Sequence, residues 1–141
     1  MFHCFVFKEY QEDNWHEFST DFTFVPDLIE DGDTLVAHNI YGHDLPLMSK
    51  LLGITYDVQK ELFEGRHVQL IDSLAWSREL WPDRPYGHGL DAWGKKLGIL
   101  KPVVKNWVEG DTEMYLHRCR EDVKINEAVF EKLLQEARIE I

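Results

Sequence analysis

Apolar and polar positions begin to alternate at the first residues. Phe2, Cys4 and Val6 interleave with His3, Phe5 and Phe7, an apolar and aromatic run that predicts a strand. The polar stretch Gln11-Glu12-Asp13-Asn14 leads into a second aromatic run, Trp15 to Phe18, so the two runs read as a β-hairpin. Val25-Pro26-Asp27-Leu28-Ile29 predicts a short helix with proline in its first turn, ended by Gly32. Thr34-Leu35-Val36-Ala37 reads as a short buried strand that runs into His38-Asn39-Ile40-Tyr41-Gly42. Asp44-Leu45-Pro46 then opens a helix through about Leu52-Gly53.

The same strand-to-helix passage recurs at Val68-Gln69-Leu70-Ile71-Asp72, followed by a helix over Ser73 to Trp81 that Pro82 stops. Gly89 to Gly98 predicts a further short helix. From Thr112 to about Arg138, Tyr115, Cys119, Val123, Asn126, Phe130, Leu133 and Ala137 recur three or four apart, the spacing of a long amphipathic helix. Strands followed by helices, with a closing helix, predict an α/β fold in which a mixed sheet is flanked by helices. No repeat, low-complexity tract or linker interrupts the chain, so residues 1–141 read as a single domain.

Composition agrees with a packed core: 44% of the 141 residues are hydrophobic, with only nine glycines and five prolines. A core of this size stands without disulfides, and Cys4 and Cys119 do not make a disulfide framework, which favours a reducing compartment. No apolar run is long enough for a membrane helix, and Met1-Phe2-His3-Cys4 is unlike a signal peptide. The expectation is a soluble, cytoplasmic protein.

The net charge of −11 argues against a protein that wraps duplex nucleic acid by electrostatics. Its distribution softens that argument, because the first 37 residues hold nine acids and one lysine while the rest of the chain is nearly balanced. Arg78, Lys95, Lys96, Lys101, Lys105, Arg118 and Arg120 lie in the less acidic part, and they are the cations placed to meet phosphate.

Two carboxylates stand out. Asp44 follows a strand at a helix start, where a loop at the carboxyl end of a strand is the usual place for a site in an open α/β sheet. Local physics also gives it the plain role of an N-cap. Asp122 falls beside Val123 on the edge of the apolar stripe of the last helix, where a carboxylate is costly unless paired or metal-bound. Carboxylates from two elements suit an oxygen-ligated cation such as Mg²⁺ or Mn²⁺. Zinc is disfavoured, because the histidines show no tight ligand spacing and the cysteines no CxxC. GxSxG, P-loop and GxGxxG sequences are all absent.

An ordered set of blocks adds specificity: Leu35-Val36-Ala37-His38-Asn39 with Asp44 and Pro46; Ile71-Asp72-Ser73-Leu74 with Ser77-Arg78; His88-Gly89-Leu90-Asp91-Ala92-Trp93-Gly94 with Leu97-Gly98; and Glu121-Asp122-Val123. The set resembles the 3′–5′ exonuclease domain of the family A DNA polymerases of tailed bacteriophages, from about Phe2 to Leu134. The resemblance implies a ribonuclease H-like fold of the DEDD superfamily, in which four carboxylates hold two metal ions, Mg²⁺ or Mn²⁺, around a phosphodiester and nucleotides leave a DNA 3′ end. It assigns Asp44 and Asp122 as two of the metal-binding, catalytic acids. Asn39 lies where the family's loop borders the bound strand, with the rival reading that it only ties down the loop. Arg118 is the substrate-binding candidate drawn from the cations of the less acidic part, by charge distribution and not by the resemblance.

The chain departs from the family in two places. The family's first strand, bearing Asp-x-Glu, precedes the segment that matches Phe2-His3-Cys4, and no Asp-x-Glu occurs at a strand in the first third of this sequence. Relative to the family the fold is then N-terminally truncated. That strand is central in the family's sheet, so its loss should expose groups that normally have partners; a polymerase chain or other partner, a second copy or an upstream start would supply them. The second departure concerns the base. The superfamily uses a Tyr four residues or a His five residues before the last acid; here position 118 is Arg and His117 matches the second form. Five residues of regular helix turn through roughly 500°, leaving His117 and Asp122 about 140° apart, so both face one site only if the helix is distorted or begins after His117. Trp93 reads as core, and His88 and Asp72 as structural.

The resulting expectation is a proofreading exonuclease domain acting on single-stranded 3′ ends, in host cytoplasm if phage-encoded, with little activity alone because two carboxylates cannot hold both ions. The rival is a non-catalytic assembly module that binds nucleic acid or protein and keeps the fold.

Overall fold

The computed structural model describes residues 4–19, 22, 25–52, 66–99 and 112–137. The chain is an α/β protein whose elements run β1 (Phe5–Lys8), β2 (Trp15–Phe18), α1 (Val25–Leu28), β3 (Thr34–Ala37), a π turn (Ile40–Asp44), α2 (Leu45–Leu52), β4 (Gln69–Asp72), α3 (Ser73–Leu80), α4 (Leu90–Leu97) and α5 (Thr112–Ala137). These follow the predicted elements closely. The main difference is the pairing: among the described residues the strands form an antiparallel β1–β2 ladder and a separate parallel β3–β4 ladder. Both orientations of a mixed sheet occur, in two ladders. The chain divides into two compact units, Met1–Thr20 with Asp83–Ile141, and Asp21–Pro82.

In the first unit β1 pairs with β2 in the register Phe5↔Phe18 to Lys8↔Trp15. The hairpin turn is closed by the Glu9 N–H donating to Asn14 O at 3.1 Å, with Gln11 in the left-handed region at φ 63°. The hairpin's aromatic side chains stack among themselves and on α5: Phe7 meets Phe18 edge-on at 6.0 Å, and Tyr10 meets Phe130 at 5.4 Å. Two ion pairs tie the hairpin to α5, Lys8 to Glu127 and Arg120 to Glu17, each at 2.6 Å.

α4 also packs on α5. Its Trp93 is 3% exposed, as expected of a core residue, and carries the Arg84 guanidinium 3.8 Å above its ring. Gly98 ends the helix in the left-handed conformation, φ 76°, and the Ile99 N–H returns to Gly94 O at 2.8 Å. That return brings the backbone close: a Cβ on Gly94 would stand 2.4 Å from Ile99 O and 3.1 Å from Ile125 Cδ1.

In the second unit, Val25, Ile29, Ile40, Leu45, Met48 and Val68 form the apolar core. The turn before β3 is pinned to the approach to β4: Gly32, at φ 90°, donates its N–H to His67 O at 2.7 Å, and His67 N–H donates to Asp31 Oδ1 at 2.6 Å. These contacts set the parallel register, Thr34↔Gln69 through Ala37↔Asp72. Both strands therefore end at the same level, at Ala37 and Asp72.

Candidate functional site

At that carboxyl end Asp72 organises two segments at once. Its Oδ1 accepts the N–H groups of Leu74 and Ala75 at 3.0 and 3.4 Å, which caps α3, and the Asn39 N–H at 2.9 Å, which fixes the exit from β3. Ser73, wholly buried, donates to Ala37 O at 3.3 Å and lies 2.8 Å from His38 Nδ1. A His38 tautomer with its proton on Nδ1 satisfies both contacts. The strand ends, the loop and the helix start thus share one hydrogen-bond network.

From this network the chain enters the π turn. Asn39 occupies the left-handed region at φ 71°, ψ 47°, a conformation that Asn tolerates better than most side chains. Its side chain lies over Gly42: a Cβ there would stand 2.5 Å from Asn39 Oδ1. The wound segment begins at Ile40, and the Leu45 N–H closes it onto Ile40 O. Asp44 is therefore the last residue of the π turn, inside the winding. Asn39 holds the N-cap position of the π turn, and Asp44 directly precedes α2. Such insertions in helical winding recur at functional sites. Asp44 is half-buried.

Asp122 lies in the first unit. The buried face of α5 is made by Tyr115, Leu116, Ile125, Val129, Phe130, Leu133 and Leu134, of which Ile125, Val129 and Leu133 are wholly buried. At 100° per residue these positions run from about 60° on one side of Asp122 to about 120° on the other, so its half-buried carboxylate lies within the packed face. The sequence stripe through Val123 and Asn126 places it at the edge. The packing corrects this, because Ile125 and Val129, and not those two residues, are the buried members. Cys4 and Cys119 lie on the same side. The Asp122 charge contributes to raising both thiols, although the largest influence on each is the other thiol.

His117 is exposed, between buried Leu116 and half-buried Arg118. α5 is regular α-helix from Thr112, so neither condition for turning His117 toward Asp122 is met, and the two side chains remain about 140° apart. Arg118 is on the Asp122 side, four residues before it. Arg120 is engaged by Glu17 and Glu113, and its pKa is raised first by the hydrogen bond to Glu113. Arg78, Lys95 and Lys96 are exposed, and Lys101 and Lys105 lie outside the described residues.

Among the described residues no three His, Cys, Asp or Glu side chains come together to hold an ion. Asp44 and Asp122 belong to different units. The chain's one Asp-x-Glu spacing, Asp111-Thr112-Glu113, puts Glu113 in the first turn of α5, where it pairs with Arg120 at 2.8 Å.

Several organising residues escaped the reading of the sequence as candidates. Asp72-Ser73 carries a recognisable N-cap signal before α3. Its second partner, Asn39, lies 33 residues away and has no local mark. Gly42 is required by the Asn39 side chain three residues earlier, a contact that only the π turn creates.

No protein-family model matches the chain, and no solved structure matches it significantly. Among curated proteins it is similar to a DNA-directed DNA polymerase of Enterobacteria phage T3, 26% identical over 175 aligned positions that cover 96% of this chain. The chain spans about a quarter of that polymerase's length, 24%. The alignment is longer than the 141-residue chain, so the polymerase carries stretches for which this chain has no counterpart. No helix among the described residues is long and apolar enough to cross a membrane.

Proposed function

We propose that residues 1–141 are one domain of ribonuclease H-like fold, derived from the 3′–5′ exonuclease of a phage DNA polymerase. Similarity to a polymerase along nearly the whole chain supports the origin. One structural observation carries the site: a half-buried carboxylate, Asp122, within the packed face of the long helix, where an acid contributes little to packing. Asp44, on a π turn at the carboxyl end of a parallel strand pair, is its counterpart in the other unit.

In this reading Asp44 and Asp122 are each, as the resemblance implies, an acid that serves Mg²⁺ or Mn²⁺. Asn39 borders a single-stranded DNA 3′ end, and Arg118 meets its phosphates. His117, exposed and turned away, takes no part. The carboxylates among the described residues do not complete a metal centre, and the expectation is that the chain alone is inactive. A strand bearing Asp-x-Glu has to come from a longer form of the chain or from a polymerase polypeptide.

The test is digestion of a 5′-labelled single strand with Mn²⁺ or Mg²⁺, by this chain alone and with a polypeptide carrying that strand. The expected result is shortening from the 3′ end only when both are present, lost in Asp44→Ala and Asp122→Ala. Digestion by the chain alone, abolished in Asp122→Ala, overturns the claim of inactivity. If neither form cuts, the exonuclease reading falls and the assembly-module reading replaces it.

A further inference from the structure

Cys4 and Cys119 are 115 positions apart in the sequence, yet the fold brings them together. Cys4 immediately precedes β1, and β1 packs on α5. The Cys4 Sγ–H donates to Tyr115 O at 3.8 Å. In an α-helix that carbonyl is the acceptor for the N–H four residues on, which belongs to Cys119. Cys4 therefore reaches the helix one turn from Cys119 and on its side, close enough for each thiol to shift the titration of the other. Both are free thiols, and both residues are half-buried and not sealed in the core. Asp122 and Glu17 lie near Cys4, and Asp122 and Arg118 near Cys119.

We propose that Cys4 and Cys119 are a redox-reactive pair, a modification site for low-molecular-weight disulfides, in which exchange joins the two sulfurs and fixes the start of β1 to α5. The reaction balances without a further oxidant. The Cys4 sulfur attacks one sulfur of the small disulfide, forming a mixed disulfide and releasing one small thiol. The Cys119 sulfur then attacks the Cys4 sulfur, forming the Cys4–Cys119 bond and releasing the second small thiol. The two thiol protons of the protein leave on the two small thiols, and the small disulfide is reduced as the protein pair is oxidised. The influence of Cys119 favours Cys4 as the first nucleophile, since it holds the Cys4 thiol below its usual pKa against the raising effects of burial, Asp122 and Glu17. The proposal stands apart from the nuclease reading.

The experiment treats the reduced chain with oxidised glutathione and reads intact mass, non-reducing gel mobility and melting temperature. The expected product is a monomer lighter by two hydrogens, carrying no glutathione. Closing so long a loop should raise its Tm by about 10 °C, and dithiothreitol should reverse the change. Cys4→Ser and Cys119→Ser should each stop at one retained glutathione. A wild-type chain that retains glutathione on both cysteines, or that forms disulfide-linked dimers in place of the internal bond, overturns the proposal.

Discussion

Oδ1 of Asp72 accepts the backbone N–H of Asn39 at 2.9 Å, so the residue that starts α3 also determines how the chain leaves β3. Asp72→Ala removes an N-cap, worth about 1 kcal/mol, and leaves the half-buried Asn39 N–H without its acceptor, a further 1–3 kcal/mol or so. The expected loss in urea unfolding is about 2–4 kcal/mol. Asp72→Asn keeps the accepting oxygen and should lose about 1 kcal/mol at most. Equal losses in the two variants would show that the shared acceptor is not what matters.

Asn39 has two readings, and one substitution separates them. Asn39→Gly keeps access to the left-handed backbone while removing the side chain, so stability should stay within about 1 kcal/mol, whereas Asn39→Ala should lose about that much. If Asn39 also borders a DNA strand, Asn39→Gly should weaken single-strand binding by the completed domain without unfolding it. Unchanged binding in a stable variant leaves only the loop-tying role. Gly42→Ala should be tolerated better in the Asn39→Gly background, because the atom its Cβ meets is then gone.

Gly94→Ala is a sharper test of packing. The new Cβ would stand 2.4 Å from a backbone oxygen, Ile99 O, and no rotamer change can move that atom away. A loss of about 2–3 kcal/mol is expected from the shift forced on the end of α4. Thermal unfolding indistinguishable from wild type would place Ile99 elsewhere.

The Lys8–Glu127 pair, 2.6 Å apart with side chains 12% and 26% exposed, is better shielded than a surface ion pair. Glu127 Oε2 also accepts the Gln11 N–H at 3.2 Å, so the carboxylate is oriented from two sides. A double-mutant cycle with Lys8→Met and Glu127→Gln should give a coupling of about 1 kcal/mol, at the upper end for exposed pairs, and persist at moderate salt. Additive effects would mean that the pair contributes only contact.

Much of this architecture is written in local signals. Gln11 to Asn14, Gly32, Pro82 and Gly98 break the chain where the structure breaks it, and the lengths of the runs between them distinguish strand from helix. Two things were hidden. The face of α5 was assigned through Val123 and Asn126, because α5 has apolar residues on more than one side and only its packing against β1 and α4 selects Ile125 and Val129. The π turn was read as a loop before a helix, since the acceptor that shapes it comes from β4 and no period within residues 38–44 announces it. Asp44 and Asp122 were legible as acids at telling places. Their surroundings depend on contacts from far along the chain, and those were not.

The first unit joins the beginning of the chain to its end, with residues 21–82 forming the other unit between them. During synthesis the hairpin therefore leaves the ribosome long before Glu127 exists to receive Lys8, a partner 119 positions later. The intervening unit can close on contacts already made, including its parallel strand pair, while Tyr10 waits for Phe130, the ring it meets edge-on. Such distant pairing makes assembly slow and leaves aromatic side chains uncovered in the meantime. A ribosome paused just before α5 would thus carry one folded unit preceded by a ribbon whose partners on α5 are still to come, and that is the moment at which a chaperone has the most to hold.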